Sequence, residues 1–129
     1  MAILDDVLAE LVTQLRADLA AAGLSRQRGG IARGVAWAEA SGRGPDGAWL
    51  ELRLHHRPTE RRLDGGLLAY QPVARGGRTV VVGERALEYG LDANELSGVL
   101  ADEVAAWLRT AAERRPPEPD PEEAELSLL

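Results

Sequence analysis

Apolar residues recur at helical spacing near both ends of the chain and alternate with polar residues in its middle. The first apolar set consists of Ile3, Leu4, Val7, Leu8, Leu11, Val12, Leu15 and Leu19. It predicts an amphipathic helix over residues 2–22, with Gly23 at the position of a left-handed helix cap. A second stripe predicts another long helix over residues 93–115, and it consists of Leu96, Val99, Leu100, Val104, Trp107, Leu108 and Ala111.

The middle of the chain has the alternation that is typical of half-buried strands. In AWLELRLHH, leucines occupy every second position and mostly polar residues lie between them. This pattern predicts a hairpin that pairs residues 31–40 with 48–56 across the turn-rich segment SGRGPDG. The preceding LSRQRGG is interpreted as a connector, and HRPTERRLDGG as a polar loop.

Two shorter strands are predicted next, LLAYQPVA and RTVVVG (78–83), followed by a helical turn at ERALEYG. Pro72 lacks the N–H that a strand ladder requires, so the third strand is expected to lie at a sheet edge or to stop there. The expected fold class is therefore α+β: an N-terminal helix, an antiparallel sheet of three to four strands and a C-terminal helix, with both helices on one sheet face. We expect a single domain over residues 1–115 and a disordered, acidic, proline-rich tail over residues 116–129.

Composition excludes several kinds of chemistry. The chain of 129 residues has no cysteine, which excludes disulfides, thiolate metal sites and a cysteine nucleophile, and favours a cytoplasmic location. All of its basic residues are arginine, so Schiff-base chemistry on lysine is excluded as well. The first residues contain acids and no basic segment, which indicates neither a signal peptide nor a membrane span.

The net charge of −6 is unevenly distributed along the sequence. Residues 116–129 contain only acidic charges, whereas residues 24–78 have an excess of arginine. Arg57, Arg61 and Arg62 are therefore a candidate anion-binding cluster, and a nucleic-acid binder is one alternative function. Because aromatic residues for base stacking are few, nucleic acid is the less favoured partner.

The segment AYQPVARGGRTVVVGERALEYGLDANELSGVLADEVAAW (69–107) resembles part of the minigluzincins and of the related CAAX prenyl endopeptidases. The correspondence runs through Ala69, Tyr70, Pro72, Gly76, Gly77, Thr79 to Val82, Leu87 and Glu88, and then through Asn94, Glu95, Leu96, Gly98, Val99, Leu100, Ala101, Asp102, Glu103 and Ala106. In that family the second part is the active-site helix of a zinc peptidase, and the resemblance implies the same order of helix, small sheet and helix.

The two metal-binding histidines of that family are missing here. Asp102 and Ala106 stand in their places, and only Glu103, which the resemblance implies to be the general base, remains. Catalytic zinc needs three protein ligands and an open position. The resemblance therefore implies a zincin-like scaffold without zinc, and a metallopeptidase-like enzyme with an atypical site is the alternative.

Three remaining side chains have chemistry that needs a structural explanation. Glu103 falls inside the apolar stripe of its helix, where a carboxylate needs a partner such as an arginine. His55 and His56 are adjacent in a strand, so they point to opposite faces and are not expected to share a metal. His56 lies on the leucine face, which favours a structural role.

The function expected from these observations is a non-catalytic protein-interaction or regulatory module. We expect no catalytic residues, metal or cofactor, and no association with membranes. A protein partner or self-association as a homodimer is favoured, and the candidate functional carboxylates are Glu103 and Asp102.

Overall fold

Two α-helices and a five-stranded antiparallel sheet make up the fold in the computed structural model, which describes residues 5–44, 47–71 and 77–113. The elements are α1 (Asp6–Ala21), β1 (Arg26–Ala32), β2 (Val35–Arg43), β3 (Trp49–Arg57), β4 (Arg62–Tyr70), β5 (Thr79–Glu88) and α2 (Ala93–Glu113), with one 3-10 turn at Pro58–Glu60. This confirms the α+β class and the helix–sheet–helix order. The sheet has five strands, however, and not the expected three to four.

Helix α1 has a cap at each end, of which the sequence predicted only the C-terminal one. The Asp5 side chain accepts a hydrogen bond from the Val7 N–H at 2.9 Å, which satisfies a backbone donor of the first turn. At the other end Gly23 has φ +81°, and the Leu24 N–H reaches back to the Leu19 carbonyl at 2.9 Å. This pattern is a Schellman cap, so the prediction for Gly23 is confirmed. Residues 1–4 and 114–129, which include the predicted tail, lie outside the described residues.

The sequence patterns did not predict strand β1, which includes the first residues of the predicted hairpin. The strands follow the order β1-β2-β3-β4-β5, each antiparallel to the next. LSRQRGG is not a connector, because residues 26–30 pair with β2. The turn between β1 and β2 consists of Arg33 at φ +52° and Gly34 at φ +76°, the positive angles of a type I′ turn. The second hairpin joins β2 with β3, so the predicted pairing of residues 31–40 with 48–56 is confirmed for residues 36–40 with 52–56, whereas residues 31–32 belong to β1.

The last two strands are also longer than predicted. Strand β4 begins at Arg62, inside the segment interpreted as a loop, and ends at Tyr70 before Pro72; it lies between β3 and β5 and not at an edge. ERALEYG is not a helical turn, since β5 continues to Glu88. Leu87 there is buried opposite Leu63, so pairing and burial override a local helical preference.

Both helices cover the same face of the sheet, which confirms the predicted packing. Residues of β2, β3 and β4 alternate between buried and partly exposed positions along each strand. The core consists mainly of leucines from α1, β3, β4 and α2, together with three alanines of β2 at positions 36, 38 and 40. None of the described helices is long and apolar enough to cross a membrane.

Helix α2 buries a slightly different stripe from the one predicted. Leu100 and Val104 are fully buried, but Val99 is 45% exposed and does not face the core. Ser97, which was not part of the predicted stripe, is buried. The Ser97 hydroxyl donates to the Asn94 carbonyl at 2.7 Å.

Replacing Leu100 by alanine should lower the free energy of unfolding by about 2–5 kcal/mol, because the change leaves a cavity at a fully buried position. The matched control Val99→Ala, one residue away but exposed, should change it by less than about 0.5 kcal/mol. Urea unfolding followed by circular dichroism measures both. Equal effects would mean that α2 presents a different face to the sheet.

Candidate interaction surface

The two helices leave one face of the sheet uncovered, and we call it the outer face. Its side chains come from all five strands, because residues that pair directly across an antiparallel sheet point to the same side. The outer face includes Arg26, Arg28, Trp37, Glu39, Trp49, Glu51, Arg53, His55, Asp64, Leu68, Tyr70, Val81, Glu84 and Glu88.

The large aromatic residues are concentrated on this face. Trp49 and Tyr70 are direct cross-strand neighbours, and Trp37 lies on the adjoining strand. The Arg26 guanidinium lies 5.9 Å from the Trp49 ring centroid, and that of Arg28 lies 6.0 Å from the Trp37 ring. At these distances the positive charge of each guanidinium is attracted to the face of the indole ring.

Hydrogen bonds connect the polar groups between the rings. Glu51 accepts from the Tyr70 hydroxyl at 2.8 Å and from the Arg53 guanidinium at 3.2 Å. Burial alone would raise the pKa of the Glu51 carboxyl, but these two bonds outweigh it and the pKa lies below its usual value. The same bond to Glu51 raises the pKa of Tyr70. The network therefore keeps Glu51 ionised and fixes its neighbours in place.

Charge changes sign across the outer face. The β1 edge carries Arg26 and Arg28, of which Arg28 pairs with Glu39 at 3.0 Å. The β5 edge carries the exposed Glu84 and Glu88 instead. One side of the face is thus basic and the opposite side acidic.

The candidate anion-binding arginines do not form a free cluster. Arg57 and Arg62 both bind Asp64, at 3.3 Å and 2.7 Å. Arg61 donates to the Gly90 carbonyl at 2.9 Å, which ties the turn before β4 to the segment that precedes α2. Each of the three arginines therefore has a partner within the fold.

Glu103 has an arginine partner, Arg85, as expected for a carboxylate within the apolar stripe of its helix. Its carboxylate lies 3.6 Å from the Arg85 Nε, and both side chains are partly exposed. Glu103 Oε2 itself is buried and has no hydrogen bond from the described residues. Asp102, its neighbour, is exposed. An exposed ion pair of this length stabilises a fold only slightly, so the pair mainly neutralises a carboxylate at the rim of the core.

The two histidines point to opposite faces, as predicted. His55 lies on the outer face, where burial and the charge of Arg57 lower its pKa. His56 is only 4% exposed and lies in the helix-covered layer. Its Nε2 is 2.8 Å from the Tyr89 hydroxyl, and its Nδ1 is 3.1 Å from the Asp5 carboxylate but poorly aligned for a hydrogen bond. His56 thus connects the start of α1, the end of β3 and the segment after β5.

Within residues 5–44, 47–71 and 77–113, no three histidine, aspartate or glutamate side chains are grouped as metal ligands. The functional feature that the sequence reasoning missed is the aromatic outer face. Its signal is the alternation in VAWAEAS, which puts Trp37 and Glu39 on one side of β2. That side could be matched with Arg28 only once β1 was known to be a strand.

Tyr89→Phe should cost about 1–3 kcal/mol of unfolding free energy, because the buried His56 Nε2 loses its hydrogen-bond partner while the ring remains. Tyr70→Phe is the matched control, since its partner Glu51 keeps Arg53 and lies at a partly exposed position. Thermal unfolding at neutral pH measures both. A larger loss for Tyr70→Phe would contradict the structural role of His56.

Comparison with protein-family models found no match to this chain, and comparisons with curated proteins and with solved structures likewise found none.

Proposed function

We propose that this chain is a non-catalytic protein-interaction module of the cytoplasm that self-associates through its outer face. The observation that carries the proposal is the composition of that face: two tryptophans, a tyrosine and several arginines on the side of the sheet that neither described helix covers. Tryptophan, tyrosine and arginine are the residues that dominate binding energy in protein interfaces. The candidate carboxylate Glu103 lies on the other side of the sheet and is engaged by Arg85, which suits a structural role.

The charge pattern favours a second copy of the chain as the partner. Two copies can stack their outer faces around a two-fold axis that runs parallel to the strands. This operation places the β1 edge of each copy over the β5 edge of the other. Arg28 then faces the partner's Glu84, because the two residues lie in the same row of paired residues across the sheet, and both edges of the interface gain opposite charges.

The size of the face is consistent with a weak, reversible dimer. Five strands about 4.8 Å apart and nine residues long at about 3.3 Å each give a face of roughly 20 by 30 Å. Stable interfaces bury about 800 Å² per partner, and a flat face of this size lies near the lower limit. Packing of apolar and aromatic surface would make the association persist in moderate salt.

Nucleic acid is a poorer fit to the same surface. The carboxylates of Glu39, Glu51 and Asp64 lie between the arginines and neutralise them. A phosphate chain that followed the aromatic rings would meet these carboxylates at every strand it crossed. The aromatic residues of this face are therefore better suited to a protein surface.

Charge reversal on one edge should abolish self-association, and reversal on both edges in separate copies should restore it. The variant Glu84→Arg makes the facing positions of both edges basic, and Arg28→Glu makes them acidic. Each variant alone should be monomeric, because like charges then face each other in the homodimer. An equimolar mixture should form a heterodimer, since each edge regains an opposite partner.

Sedimentation equilibrium and light scattering at several salt concentrations measure these states. Glu10→Arg with Glu95→Arg, on the two helices, is the matched control and should associate like the unchanged chain. A chain that stays monomeric at high concentration, or a dimer that both reversals leave intact, would contradict the proposal. So would tight, salt-sensitive binding of single-stranded oligonucleotides to the monomer.

A further inference from the structure

One end of the sheet carries exposed arginines that no described carboxylate neutralises. Arg26 begins β1, Arg43 ends β2 and Arg78 immediately precedes β5, and we call these three residues the basic end. Arg43 donates to the Gly47 carbonyl at 3.1 Å and Arg26 lies against Trp49. Among the described residues, the ion pairs involve other arginines.

Two aromatic residues of the outer face lie at this same end. The last row of the sheet pairs Arg43 with Trp49, Trp49 with Tyr70, and Tyr70 with Thr79. The basic end therefore combines three guanidinium groups that no described carboxylate neutralises with a tryptophan and a tyrosine. This combination suits a short acidic segment that also contains apolar residues.

Helix α2 ends close to the basic end of the sheet. Glu103 contacts Arg85, and four residues later the Trp107 ring packs against Gly83, where it fills the space of a Cβ atom. The helix therefore runs antiparallel to β5, toward Thr79. Glu113 lies six residues beyond Trp107, or about 9 Å along the helix, and Thr79 lies about 13 Å from Gly83 along the strand. Helix α2 thus ends near the same row of the sheet.

Beyond Arg114 and Arg115, the sequence after α2 complements this end in charge. Residues 116–129 contain five acidic residues and no basic one, and they finish with Leu126, Leu128 and Leu129. We propose that this acidic segment binds in cis to the basic end, with its carboxylates on Arg26, Arg43 and Arg78 beside Trp49 and Tyr70. The proposal goes beyond the self-association proposed above and does not depend on it, since a monomer can satisfy it. Within a dimer, the segment and the second copy would compete for Arg26, Trp49 and Tyr70.

The residues that connect α2 with the acidic segment are long enough for this contact. Glu118 is five residues past Glu113, a span of up to about 17 Å when extended. Tyr70 and Trp49 lie one and two strands from Thr79, or roughly 5 and 10 Å, and Arg26 lies four strands away, roughly 19 Å. Successive acids can therefore meet successive arginines across the end of the sheet. Each exposed ion pair is weak, but tethering gives the segment a high effective concentration.

The absence of cysteine allows a direct test on the full chain. Ala124→Cys places one thiol in the middle of the acidic segment without changing its charge, and a nitroxide label there broadens the NMR signals of nearby residues. We expect the amide and indole signals of Trp49 and the amides of Tyr70 and Arg26 to lose most of their intensity. Signals at the opposite end of the sheet, at Arg61 and Gly90, should keep theirs.

Two full-chain variants test whether the broadening depends on the basic end. Replacing Arg26, Arg43 and Arg78 by glutamine should restore the lost intensity, whereas replacing Arg16, Arg33 and Arg61, which removes the same charge elsewhere, should not. High salt should also restore the intensity, because it screens exposed pairs. Uniform broadening of both ends, or broadening that survives loss of the basic end, would overturn the proposal.

A mixed sample separates this contact from self-association. In it, chains that carry the nitroxide have natural isotope content, and chains enriched in ¹⁵N carry no nitroxide. Broadening in the mixed sample reports contact between copies and would count against binding in cis. Loss of self-association in the Glu84→Arg variant would leave the cis signal in place, because that variant keeps Arg26, Arg43 and Arg78. Failure of one proposal is therefore distinguishable from failure of the other.

Discussion

Coverage of only one sheet face is the constraint on which the rest of this structure depends. Two helices are enough to cover the leucines and alanines of one side, and the chain has no further described element to cover the other. The outer face must therefore be stable in water by itself or be covered by a partner. The Glu51–Tyr70–Arg53 network and the arginines next to the indole rings make the face stable in water. The same residues also suit coverage by a partner, because tyrosine, tryptophan and arginine are enriched in protein interfaces.

The helices could be predicted from the sequence because burial and periodicity agree there. Leucines at helical spacing in α1 are the buried residues, and Gly23 marks the end of the helix by its positive φ. Strand β1 could not be predicted in this way. Its residues Arg26–Ala32 have neither alternation nor β-branched enrichment, and its conformation depends on hydrogen bonds with β2. The end of β5 is a similar case, since pairing with β4 overrides the helical preference of ERALEYG.

The candidate residues show the same division between local and tertiary information. The opposite directions of His55 and His56 and the need of Glu103 for a partner follow from local geometry, and the structure agrees with both. The partner itself, Arg85, comes from a strand that the sequence pattern had assigned partly to a helical turn. Arg57, Arg61 and Arg62 were grouped because they are close in sequence, but Asp64 and the Gly90 carbonyl engage them. The aromatic outer face needed the whole strand register before it became visible.

The most direct test of the central claim is the solvent accessibility of individual indole groups at increasing protein concentration. A soluble paramagnetic probe relaxes the indole N–H signals of Trp37, Trp49 and Trp107 according to their exposure. Trp37, which lies outside the basic end, should become protected as the chain associates, while Trp107, on the helix-covered side, should not change. If the chain associates and all three signals respond equally, or only Trp107 responds, the outer face is not the interface.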